Sequence, residues 1–197
     1  MMDDAGPPAA IPGRVTSGFI FVAGIVGLLA AATLTIDRFK ILIDPGYRPS
    51  CSINPVLSCG SVMVTEQAEF FGFPNPIIGI AAFSVVVVTG VLAIARVLLP
   101  SWYWAGLTVG LSAGMAFVFY LITQSIYSIN SLCPYCMVVW TITPILWVLT
   151  AQTTANRMNA PALQKVAGWL WPALVGYYIV VIVVIAENFW YYWSTLL

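Results

Sequence analysis

Histidine is absent from this chain of 197 residues. That removes haem held by histidine, most zinc sites, Ser-His and Cys-His nucleophile pairs, and imidazole proton shuttles. Charge is scarce as well. Asp, Glu, Lys and Arg make up 7% of the residues, where a soluble domain carries roughly 25%. Residues 97–156 contain none of them, and the formal net charge of zero points to no polyanionic partner. Cysteine is rare, with four in all. What is plentiful is apolar: 61% of the residues are hydrophobic and the mean hydropathy is +0.96. This is the composition of an integral membrane protein. The chemistry left to it rests on thiols, carboxylates and aromatics.

Residues 1–14 are rich in Pro, Ala and Gly, carry Asp3 and Asp4, and read as a disordered cytoplasmic tail. Arg14 precedes an uncharged run over 15–36, long enough to cross a ~30 Å hydrocarbon core. A cleaved signal peptide is the other reading of that run, but its apolar stretch is shorter, roughly 7–15 residues. Residues 37–74 form a long polar segment with Asp37, Arg38, Lys40, Asp44, Arg48, Glu66 and Glu69, half of all the charges. Pro45, Gly46, Pro49 and Pro55 break its first half, and 61–71 suits a short helix at the membrane surface. A second span is expected over 76–95, opening on Pro76. The uncharged stretch 97–156 is too long for one helix. Pro100 and the polar cluster Gln124, Ser125, Ser128, Asn130 and Ser131 divide it into spans at 102–123 and 132–150, the latter with Pro144 inside. A polar connection over 151–165 leads to a fifth span at 166–186. Phe189, Trp190, Tyr191, Tyr192 and Trp193 then suit an aromatic belt at an interface. The expected fold is an all-α membrane protein: a four-helix catalytic bundle over 15–155 that includes an outer loop and short-helix lid at 37–74, then 156–197 as connection, fifth span and short outer tail.

With the N-terminus in the cytoplasm, Arg14, Arg96, Arg157 and Lys165 all fall inside, as positive charge prefers. The three basic residues of the 37–74 loop are the exception. All four cysteines and the C-terminus then lie outside, in the oxidising compartment. Cys133 and Cys136 form a Cys-x-x-Cys where a polar gap gives way to a span. At a helix start the first thiol lies near free backbone N–H groups and the positive end of the dipole, which favours its thiolate. The second lies one turn on, on the same face. Structural staples and a four-thiolate zinc site are alternatives. But a Cys-x-x-Cys closes a tiny loop and gains little entropy, and the Cys51 to Cys59 spacing is wide for a zinc knuckle. A disulfide relay suits the pattern better: Cys51 and Cys59 on a loop that a water-soluble protein can meet, Cys133 and Cys136 at the membrane surface where a lipid-soluble two-electron carrier, a quinone, can reach them.

Three stretches, Cys51-Ser-Ile-Asn-Pro-Val-Leu-Ser-Cys59-Gly-Ser, then Phe73-Pro-Asn75-Pro-Ile-Ile-Gly79, then Cys133-Pro-Tyr-Cys136, resemble the vitamin K epoxide reductase family and its bacterial members in particular. Motif order, spacing and span count agree over roughly 15–155. DsbB thiol oxidases run similar chemistry but place the Cys-x-x-Cys in the first outer loop, whereas here the spaced pair comes first. The resemblance implies a four-helix bundle around a quinone (menaquinone or ubiquinone) in a bacterial inner membrane. It implies that Cys51 exchanges with a DsbA-like, thioredoxin-fold partner, that Cys59 passes reducing equivalents to Cys133, and that Cys136 faces the quinone ring and attacks it or makes a charge-transfer contact. Asn75 falls where the family places an amide on a quinone carbonyl, and Thr65 where bacterial members carry a Ser or Thr beside the site. Where vertebrate members have a tyrosine for the other quinone oxygen, this chain has Trp140, which suits quinone reduction better than epoxide reduction. Helical spacing alone puts Cys136, Trp140 and Thr143 on one face. A lipid-facing or packing aromatic for Trp140, a turn or helix cap for Asn75 and a surface or helix hydroxyl for Thr65 are the competing roles. No thioredoxin domain is expected to fit after 155, so the partner is expected in trans. The alternative to an enzyme is a disulfide-stapled scaffold or small transporter.

Overall fold

The computed structural model describes residues 12–158 and 161–195. Most of the expected cytoplasmic tail, residues 1–11, lies outside the described residues. Among the described residues, five helices are long and apolar enough to cross a membrane. They are α1 (Arg14–Ile43), α3 (Pro76–Ile94), α4 (Ser101–Thr123), α5 (Pro134–Arg157) and α6 (Pro161–Asn188), with the short helices α2 (Cys59–Met63) and α7 (Trp190–Trp193) beside them. α1 packs against α3 and α5, α5 also packs against α4, and α6 leans on the outside of α5. The first four spans close around a core of Ile20, Phe83, Val86, Trp104, Leu111 and Leu146. Lipid tails are as apolar as leucine, so close approach rather than water exclusion holds such helices together. Gly27 and Gly90 provide it. A Cβ on Gly27 would lie 2.4 Å from the Phe83 ring, and one on Gly90 2.5 Å from the Phe21 backbone.

The expected spans are present, but several boundaries move, and the fifth span begins at Pro161 rather than at 166. α1 runs on past Ile36 to Ile43, where its charged side chains meet partners, although Asp37 Oδ2 is buried without one. Asp37 accepts from the Tyr47 hydroxyl (2.9 Å), Arg38 donates to Glu69, and Lys40 sits over the Tyr47 ring. α5 runs through the expected polar connection to Arg157, where the Thr154 hydroxyl bonds that of Thr108 (2.8 Å) and Arg157 donates to the Leu99 carbonyl (2.7 Å). The expected surface helix over 61–71 is two pieces, α2 and a 3₁₀ turn at Glu66–Glu69. Phe189 also departs from its expected place in an aromatic belt. It is 1% exposed and packs in a cluster with Val56, Ile126 and Leu132, whereas Trp190 and Tyr191 are exposed.

Candidate active site

All four cysteines gather at one end of the bundle. Cys51, Cys59 and Cys133 share a buried cluster with Leu34 and Met63, and Cys136 packs against it. Cys51 and Cys59 are joined by a disulfide, and Cys133 and Cys136 are free thiols. The Sγ atoms of Cys133 and Cys59 are 3.3 Å apart, and both residues are fully buried. One sulfur of the outer pair therefore already touches one of the inner pair.

That contact is set by backbone. The Leu132 N–H donates to the Val56 carbonyl (2.7 Å) and the Ser58 N–H to the Leu132 carbonyl (2.9 Å), a single parallel bridge between the cysteine loop and the approach to α5. Asn54 shapes the loop for it. Its side-chain carbonyl accepts from the N–H groups of Val56 (3.0 Å) and Leu57 (2.7 Å), an Asx turn. On the other side, α4 runs into a π-helical segment, Gln124–Ile129, and Asn130 takes a left-handed conformation (φ 54°) that turns the chain back. Asn tolerates that region better than most residues. Sequence reasoning missed this clamp, because one bridge leaves no alternating pattern.

Cys133 is the residue just before α5, and Pro134 occupies the first helical position. Its pKa is drawn below the ordinary thiol value, first by a hydrogen bond from the Cys136 thiol and then by the backbone N–H groups of Cys136 and Tyr135, while burial pushes the other way. A lowered pKa raises the share of thiolate at a given pH. Exchange through Cys133 should fall away only as pH drops through that lowered value. The thiolate ultraviolet absorbance of the reduced protein, less that of Cys133→Ala, should therefore inflect below ~8.5. An inflection at or above that value counts against helix-start activation.

Below the cysteines lies a cavity of about 520 Å³, within the range of about 300–1,000 Å³ usual for small-molecule sites. All four bundle helices line it: Ala31 and Leu34 from α1, Asn75, Gly79 and Phe83 from α3, Gly110, Gly114 and Phe117 from α4, and Cys136, Trp140 and Thr143 from α5. Met63 and Ala68 close it from the lid. The walls are mostly apolar, and Arg38, Asn75 and Thr143 are among the polar side chains that line them.

The lid is tied down at three points. Arg38 donates to Glu69 (2.6 Å). The Asn75 amide donates to the Gln67 carbonyl (2.7 Å) and accepts from the Phe70 N–H (3.1 Å). Phe70 rests on Tyr120, ring centres 5.0 Å apart. Asn75 thus lines the cavity while its side chain ties the lid to α3. Thr65 is not brought to the cavity wall. Its hydroxyl closes the turn after α2 by donating to the Val62 carbonyl (2.8 Å). Arg38, which does line the cavity, was not among the expected site residues. The signal for it was electrostatic: an arginine in a polar segment that also holds Glu66 and Glu69 can find a carboxylate partner.

Five spans, two thiol pairs in contact and a lidded apolar cavity beneath the inner pair define a membrane thiol–disulfide oxidoreductase. The chain belongs to the vitamin K epoxide reductase family, whose model matches residues 19–151. The match takes in both cysteine pairs, Asn75 and all but the last residues of the fourth span. No individual curated protein matches the chain. Proteins of this family use quinones and work with thioredoxin-like partners. Membership sets aside the stapled scaffold or small transporter.

Proposed function

We propose that the protein reoxidises a DsbA-like, thioredoxin-fold protein on the extracytoplasmic side of a bacterial inner membrane and hands the electrons to menaquinone or ubiquinone. Residues 15–155 are the catalytic unit in this reading. The observation that carries it is the 3.3 Å contact between Cys59 and Cys133, with Cys136 on the cavity wall.

A partner thiolate attacks Cys51, and Cys59 leaves as the thiolate. The partner's second thiol then releases Cys51, and the partner departs oxidised. Cys59 attacks Cys133 of the oxidised inner pair and frees Cys136. Cys51 closes on Cys59 and frees Cys133. The outer pair is then a disulfide and the inner pair two thiols, the arrangement described above. A quinone supplies the two-electron acceptance that lets the inner pair close again. Asn75, Trp140 and Thr143 hold its ring against Cys136, and Thr65 supports the lid turn. The net change is one partner dithiol to disulfide and one quinone to quinol, with the two hydrogens passing from thiols to quinone.

Cys51 is 6% exposed and Cys59 not at all, so a partner needs the loop to lift. The test is quinol formation by the purified protein with a reduced thioredoxin-fold donor. Cys51→Ala and Cys59→Ala should each stop it. Donor oxidation at the wild-type rate by either variant would mean that the two-pair relay is wrong.

A further inference from the structure

Pro144 sits inside α5, one turn after Trp140. Proline has no N–H, so the Trp140 carbonyl loses its helical donor, and the ring crowds that same carbonyl. In hydrocarbon an unpaired carbonyl costs several kcal/mol unless a neighbour satisfies it. Here the neighbour is the fifth span. The Tyr177 hydroxyl donates to the Trp140 carbonyl (3.1 Å), and the adjacent Tyr178 hydroxyl donates to the Thr141 carbonyl (2.6 Å). Two consecutive tyrosines of α6 thus serve two consecutive carbonyls of α5 at its proline break. That turn carries the Trp140 side chain, 3% exposed, with Cys136 a turn before it and Thr143 a turn after it on the cavity wall. Tyr177 and Tyr178 lie beyond the stretch that matches the family model.

We propose that Tyr177 and Tyr178 are positioning residues for the quinone face: α6 braces α5 at the Pro144 break and so fixes where Trp140 and Cys136 stand. This rests on the reading that Cys136 and Trp140 face the quinone. Neither tyrosine is a catalytic residue. They act on the backbone of α5, and neither lines the cavity. The rest of α6 contributes little enclosure: its buried residues are Ala167 and Leu174. A tyrosine pair aimed at the two carbonyls around a proline break is a specific contact on an otherwise lipid-facing helix.

The test uses the full chain in lipid nanodiscs, with short-tailed ubiquinone and menaquinone analogues as probes. Tyr177→Phe should raise the quinone KM about five-fold, the size of one net hydrogen bond. Single-turnover transfer from the donor into the inner pair should keep its rate. Amide exchange over residues 141–146 should rise. Pro144→Ala restores an N–H for the Trp140 carbonyl, so adding it to Tyr177→Phe should return both KM and exchange to the values of Pro144→Ala alone. A merely structural loss would not be cured that way. Tyr178→Phe, read by KM and amide exchange alone because Pro144→Ala supplies no donor to the Thr141 carbonyl, keeps the test decisive if Tyr177→Phe does not accumulate. An unchanged KM and exchange in Tyr177→Phe, or a double variant that keeps the full loss, overturns the proposal. Wild-type protein that makes no quinol overturns the quinone reading instead, and the exchange measurements still decide the brace.

Discussion

Cys136→Ala is expected to trap a disulfide between Cys59 and Cys133 and to abolish quinol formation. Cys133 is a buried thiol with a lowered pKa, in contact with a sulfur of the outer disulfide. Its thiolate attacks Cys59, the Cys59–Cys133 bond forms, and Cys51 leaves as the free thiolate. In the wild type Cys136 resolves that bond. Without it the chain rests as Cys59–Cys133, with Cys51 alkylatable once the loop lifts. The variant also loses the hydrogen bond that does most to lower the Cys133 pKa, so trapping should be faster at higher pH. Mass-spectrometric mapping reads the pairing directly. Recovery of only Cys51–Cys59, with Cys133 unpaired at every pH, would show that the observed contact is not the transfer geometry. Steady-state turnover should fall to background, because no second thiol remains in the inner pair.

The second large effect concerns folding. Gly90→Ala is expected to destabilise the bundle strongly, and Gly110→Ala hardly at all. A Cβ on Gly90 would lie 2.5 Å from the Cα of Phe21 and 2.7 Å from its backbone N, whereas one on Gly110 meets nothing within 4 Å. The obstacle at Gly90 is the backbone of a facing helix and cannot rotate away. α1 and α3 must part, at the overpacking cost of about 1–3 kcal/mol or more. A fall in Tm on the order of 5 °C follows for a chain of this size. Thermal melting in one detergent, both variants side by side, is the measurement. Equal shifts would mean that the α1–α3 approach is looser than described. Gly110 lines the cavity, so its variant should instead narrow the ligand space.

The spans were legible because hydropathy integrates over some twenty residues, and a long uncharged run is hard to mistake. The cysteine motifs were legible because two pairs in register are rare. Less was readable where a single long-range contact decides. α1 outlasts its apolar run through the bonds of Asp37 to Tyr47 and Arg38 to Glu69. The split of the lid into α2 and a 3₁₀ turn goes with the tie from Asn75 to Gln67 and Phe70, and helical periodicity is blind to it. The break at Pro144 was visible in the sequence, but Tyr177 and Tyr178 looked like any aromatics in a span. Cys51 and Cys59 read as a pair open to a soluble partner, yet both are buried with Leu34 and Met63, and the bridge that brings their loop to Leu132 runs through main-chain atoms that no side-chain pattern reports.

That bridge has a kinetic meaning. With the two sulfurs already touching, passage from the outer to the inner pair needs no diffusive search, and well-oriented intramolecular steps of this kind reach effective molarities of about 10⁵–10⁸ M. Turnover should then be governed by loop opening and partner encounter. The same burial keeps free small thiols out of the junction. They can enter only by the route the partner uses, through Cys51. The junction is thus insulated as well as fast, and electrons from the soluble thiol pool should leak into the quinone only as often as the loop lifts unaided.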